Sequence, residues 1–543
     1  MPIAITPDQL ALQASIRDWA KQAGPVAAVR RLEPGVASAG PVSDLAGLGI
    51  FSIAVPEEAG GAGGTVTDLA AALEQLTIAL VPGPVMPNVL AGLLLTAAGL
   101  TAPLPALAAG HATGAVALHP TLAGTRQSDG TLRVTGQTGP VLGAGTTSHL
   151  LLGSTTDQGE AWFWLQAGDP GVTVAGRRPV DFSRSLADVT LADVVVPASQ
   201  VLTGLDGARV RDLAATLYAA EAAGVAAWCS ATAVGYAGIR RQFGRLIGEF
   251  QAVKHLCATM ACRAERAAAL AWDAARAADE TADQAPGGHP LAAAAAAALA
   301  LDDAVDNAKD CIQVLGGIGF TWEHDAHLYL RRALALRQLL GGTPAWRTRL
   351  AALAAAGARR PRRTETYEAS PYPGIGAWAG PAIEKYGTPE QRDRFLGPTR
   401  RAEITWCQLF SEPEAGSDLA GLRTWAERAD GGWRLTGQKV WTSLARQADW
   451  AIGLARTDPD VPKHQGLTYF LVDMHAPGLD IRPLREITGR TMFNEVFLDD
   501  VFVPDDCVLG APGDGWRIAG WAPHSPRRAI DMAAATCRPV RSA

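Results

Sequence analysis

The sequence has little cysteine, and its cysteines form no recognisable framework. Seven occur among 543 residues, their number is odd and no two of them stand in a CxxC pair. This spacing argues against a zinc site and against a disulfide network, so we predict no metal site and a reducing, cytoplasmic setting. The seven residues are Cys229, Cys257, Cys262, Cys311, Cys407, Cys507 and Cys537.

Two further absences concern charge. With a net charge of −6, the chain has no excess of basic residues to attract nucleic acid. The segment 75–125 contains no charged residue, but prolines interrupt it and its longest clean piece, 89–102, is too short to span a membrane. The N-terminus lacks the charged start and apolar core of a signal peptide. We therefore expect no nucleic-acid partner and no membrane span.

The length of the chain predicts more than one domain, because 543 residues exceed what one ordinary core uses. A hydrophobic fraction of 48% against 19% charged residues excludes a disordered polymer. We expect several packed domains.

Parts of the chain repeat. The segment PGVTVAG…VVVPASQVL from Pro170 matches PGLDIRP…VFVPDDCVL from Pro477 without a gap, at an offset of 307. DGTLRVTGQ from Asp129 matches DGGWRLTGQ from Asp430 at an offset of 301. Apolar and polar residues alternate in these segments between turn residues, which is typical of antiparallel strands. Two matches in the same order argue against chance and predict two copies of one unit.

The composition along the chain predicts how the copies are divided. Copy one has helices, strands and helices, with three long helices at about 206–240, 247–280 and 291–315. Copy two has one short helical stretch at about 376–395, then strands, and no counterpart of the long helices follows. The predicted segments are an N-terminal helical domain (1–110), a β domain (111–204), a C-terminal helical domain (205–358), a linker (359–374), a remnant helical segment (375–403), a second β domain (404–510) and an atypical tail (511–543).

Five motifs give the chain a family resemblance. They are WCQLFSEPEAGSDLAG (406–421), GQKVWTS (437–443), RRQFGRLIGEFQ (240–251), QVLGGIGFTWE (313–323) and NEVFLDDVFVP (494–504). Together they resemble acyl-CoA dehydrogenases, the flavoenzymes that desaturate thioesters. The resemblance implies an α+β fold in which helical domains flank a β-barrel or sandwich domain, present here as one complete and one partial copy. It also implies FAD as cofactor, an acyl-CoA substrate, electron-transfer flavoprotein or a similar acceptor as partner, and a homo-oligomer.

The first two motifs lie in copy two and concern the flavin ring. Taken alone, LFSEPEAGSD is equally typical of an ordinary loop at the end of a strand. The resemblance implies that Gln408, Phe410 and Ser411 touch the flavin ring and that Ser417 lies between flavin and substrate. These exposed donors suit a flat heterocycle with carbonyl oxygens.

Two residues of the GQKVWTS motif complete the ring site by the same resemblance. Trp441 would cover one ring face, and Ser443 would donate toward flavin N5. The alternative for Trp441 is packing in the core, the commoner fate of a tryptophan.

The adenosine end of FAD is implied on copy one. By resemblance Arg240 meets the pyrophosphate through charge-assisted bonds, and Phe243 packs near the adenine. The alternative for Arg240 is a solvated arginine on a helix face. Gln313 and Gly317 resemble the pair that receives the adenosine end, which in the family comes from a neighbouring subunit.

Each copy contains what the other lacks. In copy one GHATGAVALHPTLAG replaces the ring loop and Pro140 stands where the offset places Trp441, whereas copy two lacks the adenosine helices. We therefore expect one FAD, with its ring on copy two and its adenosine end on copy one. This resembles acyl-CoA dehydrogenases built from two different subunits and their single-chain fusions, several of which act on bulky steroid side chains.

The sequence reveals no catalytic base. The reaction needs a carboxylate to take the α-proton while the β-hydride passes to flavin N5. One family position falls in 336–346, which has no Asp or Glu, and the other falls on Ala214. Asp212 is near it but on another helix face, and Glu221 is two turns away and is better interpreted as structural.

Three functions follow from these observations. The first is an FAD-dependent acyl-CoA dehydrogenase that desaturates a fatty or bulky acyl-CoA thioester. The second is a catalytically silent or truncated flavin-binding subunit, favoured by the absent base and by the Pro- and Arg-rich tail from Gly520, which resembles a reading-frame change. The third is an acyl-CoA oxidase of the same fold.

Overall fold

The computed structural model describes residues 5–32, 40–280, 288–360, 371–487 and 489–521. The chain divides into two compact units, Met1–Thr366 and Tyr367–Ala543. Most of the predicted linker, 361–370, and most of the predicted tail, 522–543, lie outside the described residues.

The first unit begins with six helices. Their starts follow local chemistry: Thr6 accepts from the backbone of Gln9 and Thr65 from that of Asp68, and both pairs form capping boxes. The uncharged stretch after α4 is buried in the core of this domain instead of forming a surface. The helices are α1 (Pro7–Ala23), α2 (Pro25–Arg30), α3 (Val42–Gly47), α4 (Val66–Ile78), α5 (Val85–Ala97) and α6 (Leu104–Ala108).

An eight-stranded sheet follows the six helices. Its strand order is β6-β7-β3-β2-β4-β5-β8, with β1 paired to β4. The inward residues of alternating strands, such as Val189 and Leu191 on β7, form its core. The strands are β1 (Gly114–Val116), β2 (Leu122–Arg126), β3 (Leu132–Leu142), β4 (His149–Thr156), β5 (Gly159–Gln166), β6 (Val172–Arg177), β7 (Leu186–Val196) and β8 (Val201–Leu202).

The first unit ends in a helical domain with three long helices, as the sequence predicts. The alanine-rich run at the start of α9 is almost entirely buried, because small side chains let neighbouring helices approach closely. Its helices are α7 (Gly207–Ala237), α8 (Gln251–Asp279), α9 (Gly288–Leu315), α10 (Ala326–Leu339) and α11 (Thr343–Ala355). A short hairpin, β9 (Arg241–Gln242) and β10 (Arg245–Leu246), separates α7 from α8.

Within the described residues, the second unit begins with two helices, in the region where the sequence predicted a short helical stretch. The helix α12 stops before Gly387, and Thr388 then caps a new helix whose first residue is Pro389. A second sheet of eight strands and a short helix follow. The elements are α12 (Gly376–Tyr386), α13 (Pro389–Arg400), β11 (Trp406–Leu409), β12 (Trp425–Ala429), β13 (Gly432–Ser443), β14 (Trp450–Arg456), β15 (Leu467–Asp473), β16 (Leu479–Leu484), β17 (Phe493–Pro504), β18 (Val508–Leu509) and α14 (Gly515–Trp521).

The two sheets have the same topology. The second runs β16-β17-β13-β12-β14-β15-β18, with β11 paired to β14, which repeats the order of the first strand for strand. Asp193 and Asp500, which are 307 residues apart, both adopt a φ of 58°. The two sheets therefore share one topology, and the predicted α+β fold class is confirmed.

Candidate functional site

The exposed side chain of Trp441 marks the candidate ring site. Between the pairs Lys439↔Val496 and Thr442↔Asn494, β13 has one residue more than β17, which produces a β-bulge. Trp441 lies in this bulge with a φ of 62°. It is 62% exposed, and its ring lies nearly perpendicular to that of Phe493, with 6.0 Å between the ring centres. The structure therefore contradicts core packing for Trp441 and leaves much of the indole accessible to a ligand.

The loop after β11 lies beside this bulge. The backbone N–H of Val440 donates to the carbonyl oxygen of Ser411 over 2.9 Å, so the structure brings the two motifs of copy two together. Gln408 and Phe410 are half-buried, and Phe410 packs edge-on against Tyr469. Ser417 is exposed farther along the loop.

A buried ion pair holds this loop, and the sequence analysis missed it. The ammonium of Lys439 donates to Glu412 over 2.8 Å, to the carbonyl of Leu454 over 2.8 Å and to that of Phe410 over 3.2 Å. Both side chains are nearly inaccessible, at 1% for Lys439 and 7% for Glu412. The signal was present, because a lysine at an inward position of β13 needs a buried partner.

Burial and pairing shift the pKa values of both groups. Burial lowers the pKa of Lys439 to about 8, although the Glu412 carboxylate opposes that shift. Burial acts to raise the pKa of Glu412, but the Lys439 ammonium and the hydrogen bonds from Thr424 and Arg423 together outweigh it and hold that pKa below the ordinary value. Both groups are therefore charged at neutral pH.

The residues around Trp441 fit an isoalloxazine ring. The buried Oγ1 of Thr442, next to Trp441, has no hydrogen-bond partner, and neither has the buried Oδ1 of Asn494 opposite it. Ser443 is half-buried at the end of the strand, and the space beside Gly416 is open. An exposed indole face beside hydroxyl and backbone donors suits a planar heterocycle that carries carbonyl oxygens.

The first β domain lacks these groups at the same positions. Its β3 has the equivalent bulge, between the pairs Thr138↔Val189 and Val141↔Ala187. Pro140 occupies it, and with Leu142 it lines a cavity of about 310 Å³ bounded also by α10. The first sheet therefore retains the backbone shape without the aromatic and hydroxyl groups.

The adenosine motif forms the hairpin after α7. Arg240 is exposed and follows the end of the helix, so it does not lie on a helix face. Phe243 and Gly244 form the two-residue turn, with φ values of 51° and 78°, which is the geometry of a type I′ hairpin. The Phe243 ring is 93% exposed. The hairpin thus presents a cation and an aromatic ring together.

Gln313 and Gly317 lie at the C-terminal end of α9. Gln313 is exposed in the last turn of the helix, and Gly317 is exposed in the 3-10 turn that follows. An added Cβ at Gly317 would meet nothing within 4 Å, so a ligand has room to approach the backbone there. Within the described residues, no hydrogen bond joins this turn to the hairpin.

Glu221 is occupied by a structural interaction. Both of its carboxylate oxygens accept hydrogen bonds from the guanidinium of Arg184, one of them over 2.7 Å. The side chains are 4% and 1% exposed for Arg184 and Glu221 respectively. This buried pair agrees with the structural interpretation of Glu221 and does not offer a free base.

Asp212 is also engaged. Its Oδ2 accepts from Arg349 over 2.8 Å, while the buried Oδ1 has no hydrogen-bond partner. Burial raises the pKa of Asp212 to about 7, although Arg349 opposes the shift. Ala214, at the family position of the base, is fully buried.

None of the helices in the described parts of the chain combines the length and apolar character that a membrane crossing needs. Nor, within those parts, do three or more His, Cys, Asp or Glu side chains converge as a metal site would require.

Helical domains on either side of an eight-stranded sheet define the class of the acyl-CoA dehydrogenase fold. Three family models match the chain: "Acyl-CoA dehydrogenase, N-terminal domain" at 6–101, "C-terminal domain" at 212–354 and "middle domain" at 407–501. The chain therefore belongs to the acyl-CoA dehydrogenase family, whose members are flavoproteins that oxidise CH–CH bonds. The middle-domain match falls in the second unit, whereas the other two fall in the first.

Individual relatives agree with this assignment. Acyl-CoA dehydrogenase FadE34 of Mycobacterium tuberculosis (strain ATCC 25618 / H37Rv) is 45% identical over 612 residues, covering 99% of this chain and 84% of the relative. A solved variant of the Tcur3481-Tcur3483 steroid ACAD is 27% identical, with a TM-score of 0.59, and covers 64% of this chain and 98% of that chain. The ChsE4-ChsE5 complex from Mycobacterium tuberculosis is 25% identical, with a TM-score of 0.57, and covers 67% of this chain and 100% of that chain.

Proposed function

We propose that this chain binds FAD and acts as an acyl-CoA dehydrogenase that introduces an α,β double bond into an acyl-CoA thioester. The observation that carries the proposal is the bulge of β13, which presents Trp441 beside the loop of Phe410 and Ser411. When bound, FAD supplies the acceptor for the hydride removed from the thioester.

Each unit contributes a distinct set of groups to the proposed binding. In the second unit, Trp441 would stack on the ring while Ser443 and the loop donors meet its polar edge. In the first unit, Arg240 would neutralise phosphate charge and Phe243 would pack on the adenine. Gln313 and Gly317 would accept the adenosine end.

A bulky acyl-CoA is the proposed substrate class. The similarity to a steroid ACAD supports this choice, since its identity of 27% exceeds what fold alone conveys. A fatty acyl-CoA is the alternative, and electron-transfer flavoprotein or a similar acceptor would take the electrons.

We also propose a homo-oligomer. Phe243, in the hairpin after α7, and Phe320, in the 3-10 turn after α9, are 93% and 91% exposed. Large apolar side chains in such positions are typical of surfaces that another chain or ligand covers.

A catalytically silent, FAD-binding chain is the second candidate. Glu221 and Asp212 are both engaged by arginines, and no acid stands in 336–346. The alignment with FadE34 spans 612 residues, more than the 543 of this chain, so the relative has internal positions without a counterpart here.

One set of measurements on purified protein separates these functions. FAD is quantified after denaturation, and dye reduction is assayed with fatty and steroid side-chain thioesters. A flavin-loaded protein that reduces the dye supports the dehydrogenase, and a flavin-loaded inactive protein supports the silent chain. Peroxide formed in step with turnover identifies an oxidase, and a protein that takes up no FAD contradicts all three.

A further inference from the structure

We propose that Lys439 and Glu412 are positioning residues for FAD, which fix the backbone of the loop after β11 in the shape that receives the flavin ring. This inference rests on the proposed function. Neither side chain needs to touch the ring, because both act through the backbone that they hold.

Lys439 uses all of its hydrogen-bonding capacity on this loop and its surroundings. An ammonium has three donors, and here they reach the carboxylate of Glu412 and the carbonyl oxygens of Phe410 and Leu454. Phe410 is among the residues proposed at the ring, and Leu454 lies on β14, the strand that pairs with β11. The lysine therefore ties the first residues of the loop to the sheet.

Glu412 ties the far end of the same loop. Its Oε2 accepts from the backbone N–H of Arg423 over 2.6 Å, and its Oε1 accepts from that of Thr424 over 2.9 Å. The ion pair thus joins the start of the loop, at 410–412, to its end, at 423–424. Ser417, between these two ends, is exposed, while the buried side chains of Ala415 and Leu422 and the guanidinium of Arg456, which donates to the carbonyl of Ala420 over 2.7 Å, anchor other parts of the same loop.

A buried ion pair is a poor way to gain stability, because desolvation of the two charges offsets their attraction. Apolar side chains of similar volume would stabilise the sheet equally well. The pair is explained by the loop conformation that it specifies, since three of the four backbone groups it satisfies, those of Phe410, Arg423 and Thr424, belong to the loop.

The first β domain supports this interpretation. Thr138 occupies the position of Lys439 there, since Thr138 pairs with Val189 as Lys439 pairs with Val496. The same strand order and the same bulge form around the threonine. A sheet of this strand order and bulge therefore forms in the first unit without the lysine, and the lysine is found in the unit that carries the ring loop.

The test uses the full chain and compares Lys439→Met, Glu412→Gln and the double variant. Apo protein is titrated with FAD, flavin absorption is recorded at saturation, and thermal unfolding of the apo form is measured in parallel. We expect each single variant to bind FAD at least about tenfold more weakly and to unfold at lower temperature, because a buried charge loses its partner. In the double variant the unfolding temperature should return toward that of the native chain, while FAD affinity and the shape of the flavin band do not.

Lys463→Met is the matched control. Lys463 pairs with Asp418 of the same loop, but the two side chains are 50% and 67% exposed. This variant should bind FAD within about twofold of the native chain, because an exposed pair contributes little. Recovery of FAD affinity in the double variant, or an equal loss in Lys463→Met, would overturn the positioning role. Failure of the native chain to bind FAD would instead refute the proposed function.

Discussion

Trp441 in the second β domain and Pro140 in the first occupy the same position of the same β-bulge. The two sheets share strand order and register on either side of it. The backbone therefore provides an outward-pointing position in both domains, and the side chain placed there differs. This difference explains why ring binding is proposed for only one of two sheets with the same topology.

Replacement of Trp441 by alanine should weaken FAD binding by about tenfold or more. The indole face is exposed and would lose its stacking surface, whereas the core of the sheet would be unaffected. The measurement is titration of apo protein with FAD. Trp425→Ala, at a 37% exposed tryptophan of β12, is the control and should change the affinity little. Equal losses in the two variants would contradict a specific role for Trp441.

Replacement of Arg240 by methionine should weaken binding of ADP and FAD alike. The guanidinium is proposed to meet phosphate, so its loss removes charge-assisted hydrogen bonds that are worth roughly tenfold in affinity. Arg241→Met, one residue along the same exposed hairpin, is the matched control. ADP competition against FAD at two salt concentrations distinguishes the two variants. The affinity of the native chain and of Arg241→Met should fall as salt rises, as expected for a phosphate contact, whereas that of Arg240→Met should depend less on salt.

Much of the fold could be predicted from the sequence. The repeat at offsets of 301 and 307 anticipated two sheets, because alternating burial forces the same residues inward in both copies. The helical stretch expected at about 376–395 forms two helices, because the first ends before Gly387 and Thr388 caps the second.

The candidate site could be predicted only in part. Motifs indicated Trp441 and Ser411, but they contain no information on which buried groups pair with each other. The contact between Lys439 and Glu412 joins residues 27 apart, and it depends on the register of β13 against the loop. Likewise, no motif indicates the contact between Arg184 and Glu221. It forms only on folding, because Arg184 precedes β7 and Glu221 lies on α7, in two different domains of the first unit.

Replacement of Glu221 by glutamine should destabilise the protein. It removes the direct partner of the buried guanidinium of Arg184 and leaves only Asp181, which also pairs with Arg332, as a nearby carboxylate, so the expected loss is up to about 3–5 kcal/mol in the free energy of unfolding. Denaturant unfolding followed by tryptophan fluorescence measures this loss. Asp500→Asn breaks the exposed pair with Arg434 and should cost less than about 1 kcal/mol. A Glu221 variant as stable as the native chain would contradict the structural role.

The pH dependence of FAD binding should follow the deprotonation of Lys439. Its pKa in the folded chain is about 8, against an ordinary value of 10.5. Between these pH values the unfolded chain keeps a proton that the folded chain has released, so raising the pH increases the stability of the apo protein relative to Lys439→Met. FAD affinity should fall over the same rise in pH, because a neutral Lys439 no longer offsets the negative charge of Glu412. Parallel FAD titrations and unfolding curves from pH 7 to 10 measure both, and an affinity that is flat in the native chain would contradict the assignment.

The flavin-loaded chain should desaturate acyl-CoA slowly. Proton abstraction by a positioned group contributes about 10²–10⁴-fold to such reactions. Glu221 is held by Arg184 and Asp212 by Arg349, and Ala214 stands at the family position of the base. Dye reduction per bound flavin should therefore be at least about a hundredfold slower than that of FadE34 assayed beside it. Rapid turnover would mean that an unrecognised carboxylate acts as the base. In that case Asp212→Asn is the first variant to measure, because a pKa of about 7 suits a general base and one of its oxygens is unbonded.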